Sequence, residues 1–284
     1  MIPAQFEYLA PSTVEEAVTA LAELGDDAKV LAGGQSLLPV LRMRLADPQL
    51  LVDLNRIEEL RGIREDGDSL VIGAMTTHHD VLRDPLVQQH AELIALATRT
   101  VADPQVRHRG TFGGSLAHAD PAGDLPAPAL ALDASMVLVG PSGRRTVPAA
   151  EFFVDYFTTA LEPGELLVEV RMPKWTGWRA HYEKFNRVAQ AWSIVGVAAA
   201  VRVAEGRIAE ARIGLTNMGP TPIRATGVEQ ALVGGPATAE AIREAARHAA
   251  EGTSPTADAS ADVDYREHLA EVLTGRAVLA AAGG

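Results

Sequence analysis

Two short stretches of this 284-residue chain carry the residue types that hold an anion. Ala32-Gly33-Gly34-Gln35-Ser36 and Thr111-Phe112-Gly113-Gly114-Ser115 share a Gly-Gly pair closely followed by serine, each beside an apolar run. Glycine has no Cβ and reaches positive φ, so backbone N–H groups around it can converge on phosphate oxygens. Ser36, Thr111 and Ser115 offer hydroxyl donors as well. Some eighty residues separate the two stretches, so loops from different parts of the chain can clamp one pyrophosphate from both sides. The plainer reading is a pair of ordinary turns, because Gly-Gly is common in turns and the chain has 25 glycines. Neither stretch reads Gly-x-Gly-x-x-Gly, which argues against the classical nicotinamide-binding fold and not against a dinucleotide.

Other chemistry finds little support. His78, His79, His118 and Asp120 could be drawn into a metal site. Adjacent histidines at a helix start read more simply as caps or surface, and His118 lies inside the same loop as the second glycine stretch, so no metal ligand is assigned. No nucleophile elbow or Ser-His-Asp ordering is present, and no catalytic residue is assigned. The chain has no cysteine, which excludes disulfides, a thiol nucleophile and a thiolate-held iron–sulfur cluster. Any redox work must therefore use an organic cofactor or another chain's metal. A formal charge of −12 makes nucleic acid a poor partner. The longest apolar stretch, about 191–201, is too short to span a bilayer, and the N-terminus lacks a basic start with an apolar run. A cytoplasmic location fits these features.

The elements that must position the two stretches can be read from pattern. Thr13 and Glu16 form a capping box for a helix through Leu24, stopped by Gly25. Lys29–Ala32 and Leu50–Leu54 read as strands, giving a β-α-β unit with the first glycine loop at a strand end. A strand at 70–74, a helix at 86–100 and the second loop follow. Asp124 precedes a helix with Pro126 in its first turn. A hairpin turns at 140–143, and a last strand occupies 166–170. Composition shifts around 173–178. Beyond it, 180–185, 194–203 and 208–217 read as a three-stranded antiparallel sheet, backed by helices at 225–232, 239–251 and 265–281. The fold class is α+β.

The residues also carry a resemblance. Leu31–Leu38 (LAGGQSLL) with Pro39 and Arg42-Met43-Arg44-Leu45, and Gln105–Asp124 (QVRHRGTFGGSLAHADPAGD) with Leu125-Pro126, are similar to the two FAD loops of the medium subunit of aerobic carbon monoxide dehydrogenases. Ile72–Thr77 and Tyr182-Glu183-Lys184 match in order, so the resemblance runs along nearly the whole chain. The same family includes the flavin domain of xanthine dehydrogenase and the flavin subunits of other molybdenum hydroxylases.

This resemblance implies a two-part FAD-binding domain of the vanillyl-alcohol-oxidase type (PCMH-like), residues 1–55 and 56–175, followed by a C-terminal α+β domain, 178–284. It implies that Lys29, Leu31, Ala32, Gly33, Gly34, Gln35, Ser36 and Leu37 wrap the pyrophosphate of non-covalent FAD, with Thr111, Gly113, Gly114 and Ser115 completing the clamp. Asp124 matches an acidic position at the adenosine end; its alternative role is a helix N-cap. Lys184 matches a lysine that approaches the flavin; its alternative is a solvated strand lysine. Trp192 falls where relatives carry an aromatic beside the isoalloxazine; its alternative is a core anchor. His108 stands where relatives often have Asn, and Ala191 where they have an acidic residue.

The resemblance places molybdopterin in a large partner subunit and [2Fe-2S] clusters in a small one, the whole a dimer of heterotrimers. The chain would accept electrons from the iron–sulfur subunit and release them to an external acceptor. Two rival readings are a self-standing FAD-dependent oxidoreductase and a non-enzymatic FAD-binding assembly protein. The first needs a substrate pocket with a base or phenol-binding tyrosines, and the chain has only four Tyr with no such cluster apparent.

Overall fold

The computed structural model describes residues 2–283. Helix and sheet alternate in the first half, and three sheets carry the architecture. The first is a parallel sheet in the order Glu7–Leu9, Leu50–Asp53, Ala28–Leu31. Thr13 caps the helix Val14–Leu24 through its Oγ, and that helix buries Val14, Ala17, Val18 and Leu21. The strand Glu7–Leu9 is too polar and short to announce itself in sequence, yet it pairs with Leu50–Val52. The expected β-α-β unit is therefore three-stranded.

The second sheet is antiparallel, in the order Ile63–Asp66, Ser69–Gly73, Leu166–Pro173, Ser135–Gly140, Gly143–Pro148. Its two faces feed two cores, as alternation requires. Val137, Leu166 and Val168 pack with the N-terminal helix and parallel sheet. Leu70, Ile72, Met136, Leu138 and Val170 face the helices of residues 78–131. The strand 166–173 keeps both faces filled by a bulge between Leu167 and Glu169. The helix expected over 86–100 is two helices, Pro85–His90 and Glu92–Thr100, broken at Ala91.

The third sheet has the order Arg179–Phe185, Val195–Ala204, Arg207–Thr216, Ile223–Arg224. It has four strands, not the three expected. The last is two residues long, below the length at which alternation is visible. Helices Thr226–Leu232, Ala239–Ala246 and Val263–Ala282 cover one face. The other face, through Ala198 and Ala200, joins the core under the second sheet. No described helix is long and apolar enough to cross a membrane.

Candidate cofactor site

The first glycine loop leaves the C-terminal end of strand Ala28–Leu31 and runs into a short helix, Leu37–Arg42. Gly34 sits at φ 76°, a conformation glycine adopts freely. The amides of Gly33, Gly34, Gln35 and Ser36 donate to no acceptor among the described residues. The loop's carbonyl side is tied down instead. Asn55 Nδ2 donates to Ala32 O at 3.2 Å and to Asp53 Oδ1 at 2.6 Å, while Tyr8 Oη donates to Asp53 Oδ2 at 2.6 Å. Lys29 is exposed on the strand, and Leu31, Ala32 and Leu37 are half-buried.

The second stretch is not a loop. Gly113, Gly114 and Ser115 lie in the first turn of a helix, Phe112–His118, capped by Thr111 Oγ1, which accepts from the Gly114 amide at 3.2 Å. Two glycines hid that helix from sequence reading, since glycine is a poor helix former. The amides here are committed: Phe112 donates to Thr76 O, Gly113 to Ala74 O, and Ser115 to Thr111 O. Ser115 Oγ donates to Phe112 O at 2.7 Å, so its proton is also spent. A Cβ on Gly113 would lie 2.5 Å from the Cβ of Ala74, so the helix start is pressed onto the second sheet.

The two stretches meet. A Cβ on Gly33 would lie 2.2 Å from Arg109 O and 2.7 Å from Gly110 Cα, and one on Gly114 would lie 3.4 Å from Ala32 Cβ. The pair is asymmetric: the first loop supplies free amides, and the second turn supplies a rigid wall against which it leans. Free amides in a glycine turn beside a helix start suit a pyrophosphate, so the residues present fit the diphosphate of a dinucleotide.

Asp124 is buried and at the centre of a polar cluster. Its Oδ1 accepts from Tyr182 Oη and Ser193 Oγ, both at 2.9 Å, and its Oδ2 from Lys184 Nζ at 2.7 Å. Lys184 Nζ also donates to Thr100 O at 3.2 Å. The following helix, Pro126–Ala131, starts from Leu125 with no side-chain cap, so the N-cap alternative for Asp124 does not hold. The solvated alternative for Lys184 fails too, since its side chain is 6% exposed. Burial pushes the Asp124 carboxyl above the ordinary carboxylate range against the pull of Lys184, and burial likewise raises the Tyr182 phenol. Trp192 is 55% exposed, which removes the core-anchor alternative. Sequence reasoning missed Asn55, Ser193 and Asn217 as supports. Only Asn55, two residues beyond Asp53 at a strand end, carried a signal, that of an Asx turn.

The histidines do not converge. His78 is buried against Gly110. His79 stacks on His108 at 3.9 Å, and His118 Nε2 lies 4.0 Å from Asp120. Among the described residues no group of three or more His, Cys, Asp or Glu is placed to hold a metal ion.

These features define a class. Residues 4–175 match the family described as FAD binding domain in molybdopterin dehydrogenase, and 180–281 match the CO dehydrogenase flavoprotein C-terminal domain. The chain belongs to this family of FAD-binding oxidoreductase subunits. Among its relatives, it is 47% identical to the carbon monoxide dehydrogenase medium chain of Hydrogenophaga pseudoflava, over 99% of this chain and 98% of that one. A solved structure of that organism's carbon monoxide dehydrogenase, in a form lacking the Mo-pyranopterin moiety, superposes with a TM-score of 0.96 at 48% identity, covering 100% of this chain and 99% of that one. Quinoline 2-oxidoreductase from Pseudomonas putida 86 superposes with a TM-score of 0.95 at 36% identity, covering 100% and 99%.

Two outcomes test this geometry. Lys184→Met leaves the Asp124 carboxylate buried without its cation and is expected to cost about 3–5 kcal/mol in urea unfolding. Asp124→Asn combined with Lys184→Met is expected to recover part of that loss, the sign of a coupled pair. Burial, with a smaller push from Arg107, lowers the His78 pKa to about 4 from 6.5. Over that window an unfolded chain takes up a proton that the folded one refuses, so stability falls as pH falls, by up to about 1.4 kcal/mol per unit. Thermal unfolding followed from pH 7 to 4 should show this slope, and His78→Phe should flatten it.

Proposed function

We propose that the chain is the flavin-carrying electron-transfer subunit of a molybdenum hydroxylase of the carbon monoxide dehydrogenase kind. It assembles with a large molybdopterin subunit and a small iron–sulfur subunit as a dimer of heterotrimers in the cytoplasm. Residues 1–55 and 56–175 are the two parts that enclose FAD, and 178–284 is the C-terminal domain that closes the flavin end. Electrons arrive from the iron–sulfur subunit and leave to an external acceptor. Flavin supplies the chemistry that joins one-electron and two-electron partners; the protein supplies position and electrostatics.

The observation that carries this reading is the abutment of the first glycine loop, with its free amides, on the Arg109–Ser115 turn. The amides of Gly33, Gly34, Gln35 and Ser36 hold the pyrophosphate, with Thr111 Oγ1 as a further donor. Lys29, Leu31, Ala32 and Leu37 carry the loop, and Gly113, Gly114 and Ser115 keep the opposing wall close. Asp124 and Lys184 act as a pair behind the site, and Trp192 stands beside the isoalloxazine. The proteins it resembles are named for carbon monoxide and for quinoline, so substrate choice resides in a partner.

Purified chain mixed with FAD and passed through gel filtration should retain absorption bands near about 370 and 450 nm. Gly33→Val with Gly114→Val should abolish them while far-UV circular dichroism shows a folded chain. A co-expressed three-subunit assembly whose flavin content is unaffected by this double substitution would overturn the reading.

A further inference from the structure

The segment that presents Trp192 is a closed loop. Ile194 N donates to Phe185 O at 2.8 Å, which forms its neck. Asn186 Nδ2 donates to Val188 O at 2.7 Å within it. Gln190 Nε2 donates to Asp103 Oδ2 at 2.8 Å, and the other oxygen of Asp103 caps the helix leading into the second glycine turn. The loop is thus tied at one side to the wall of the proposed cofactor site.

The other side is held by the Ser193 hydroxyl, which donates to Asp124 at 2.9 Å, and by Asn217. Asn217 sits at φ 62°, in the left-handed region that Asn tolerates better than most side chains. Its backbone N–H donates to Pro121 O at 2.9 Å. Its Nδ2 donates to Ser193 O at 2.8 Å and Ile194 O at 3.2 Å. Arg266, buried on the last helix, donates to the same Ile194 carbonyl. One residue therefore joins the strand end after Thr216, the loop after His118 and the peptides that follow Trp192. A turn of this sort needs no such bridge for its own geometry, because a glycine would adopt that φ with less strain.

We propose that Asn217 is a positioning residue: its amide fixes the Ser193 and Ile194 carbonyls against the Pro121 loop, and so sets where Trp192 stands relative to the isoalloxazine. This inference rests on the flavin reading above. Asn217→Gly keeps the left-handed backbone and the bond to Pro121 and removes only the amide. Asn217→Asp keeps the shape and sets an acceptor against two carbonyls.

The test uses the full chain, with and without added FAD, and takes the Trp192 signal as the difference from a Trp192→Phe counterpart. Losing two hydrogen bonds should favour a released loop by roughly ten-fold. In Asn217→Gly the acrylamide quenching constant of Trp192 should rise by about two-fold, bound-FAD fluorescence should increase, and FAD should stay bound. Asn217→Asp should move both signals the same way and decides the matter if the glycine variant does not fold. A wild type that holds FAD, with variants silent in both signals, overturns the inference alone. A wild type that takes up no FAD, either alone or in the co-expressed three-subunit assembly, sinks the flavin reading. In that case, movement of the Trp192 signal in the flavin-free variants supports the anchoring, and its absence overturns that as well.

Discussion

A carboxylate taken out of water must be met by donors, and Asp124 is met entirely from the far side of the chain. Tyr182, Lys184 and Ser193 all follow the composition shift near residue 175, and all three reach one side chain that precedes it. That requirement places the strand Arg179–Phe185 over the end of the 112–124 segment. It also puts the start of the strand Val195–Ala204 beside the helix Pro126–Ala131, and leaves the peptide after Trp192 anchored. Replacing the cluster by apolar residues of the same volume would relieve the desolvation cost and lose the register that the directional bonds impose.

The glycine stretches obey a different constraint, which is distance. Backbones at Gly33 and Arg109–Gly110 approach so closely that no side chain fits between them. The residue type there is dictated by packing, and the ability to receive an anion follows from what packing leaves over. On the first loop the Ala32 carbonyl is tied by Asn55 and the amides are free; on the second turn the amides are consumed by Thr111 and by the carbonyls of Ala74 and Thr76. Two stretches alike in sequence thus differ in what they leave free, the first its amides and the second none.

Much of this was legible from residues alone. The capping box at Thr13, the hairpin at 140–143 and the long strands of the C-terminal sheet follow from local rules that tertiary contacts reinforce. What escaped notice had weak local signal. The strand Glu7–Leu9 exists because Leu50–Val52 offers it an edge, and the helix Phe112–His118 forms despite two glycines because Thr111 caps it and Phe112 is buried. The resemblance singles out Lys184, but its partner is hidden, because nothing near it in sequence reveals the carboxylate sixty positions away. Asn217 gave no sign at all: its partners are carbonyls, which every residue has.

The strand Val195–Ala204 sends Val195, Val197, Ala199 and Val201 into one core and Ala198 and Ala200 into another. A border that composition draws at residue 175 is therefore not a border in energy. Opening the C-terminal layer would strip cover from the compartment that backs the second glycine turn. The expected unit of opening in amide exchange is the joined body, with its slowest protons on this shared strand and not within either compartment alone.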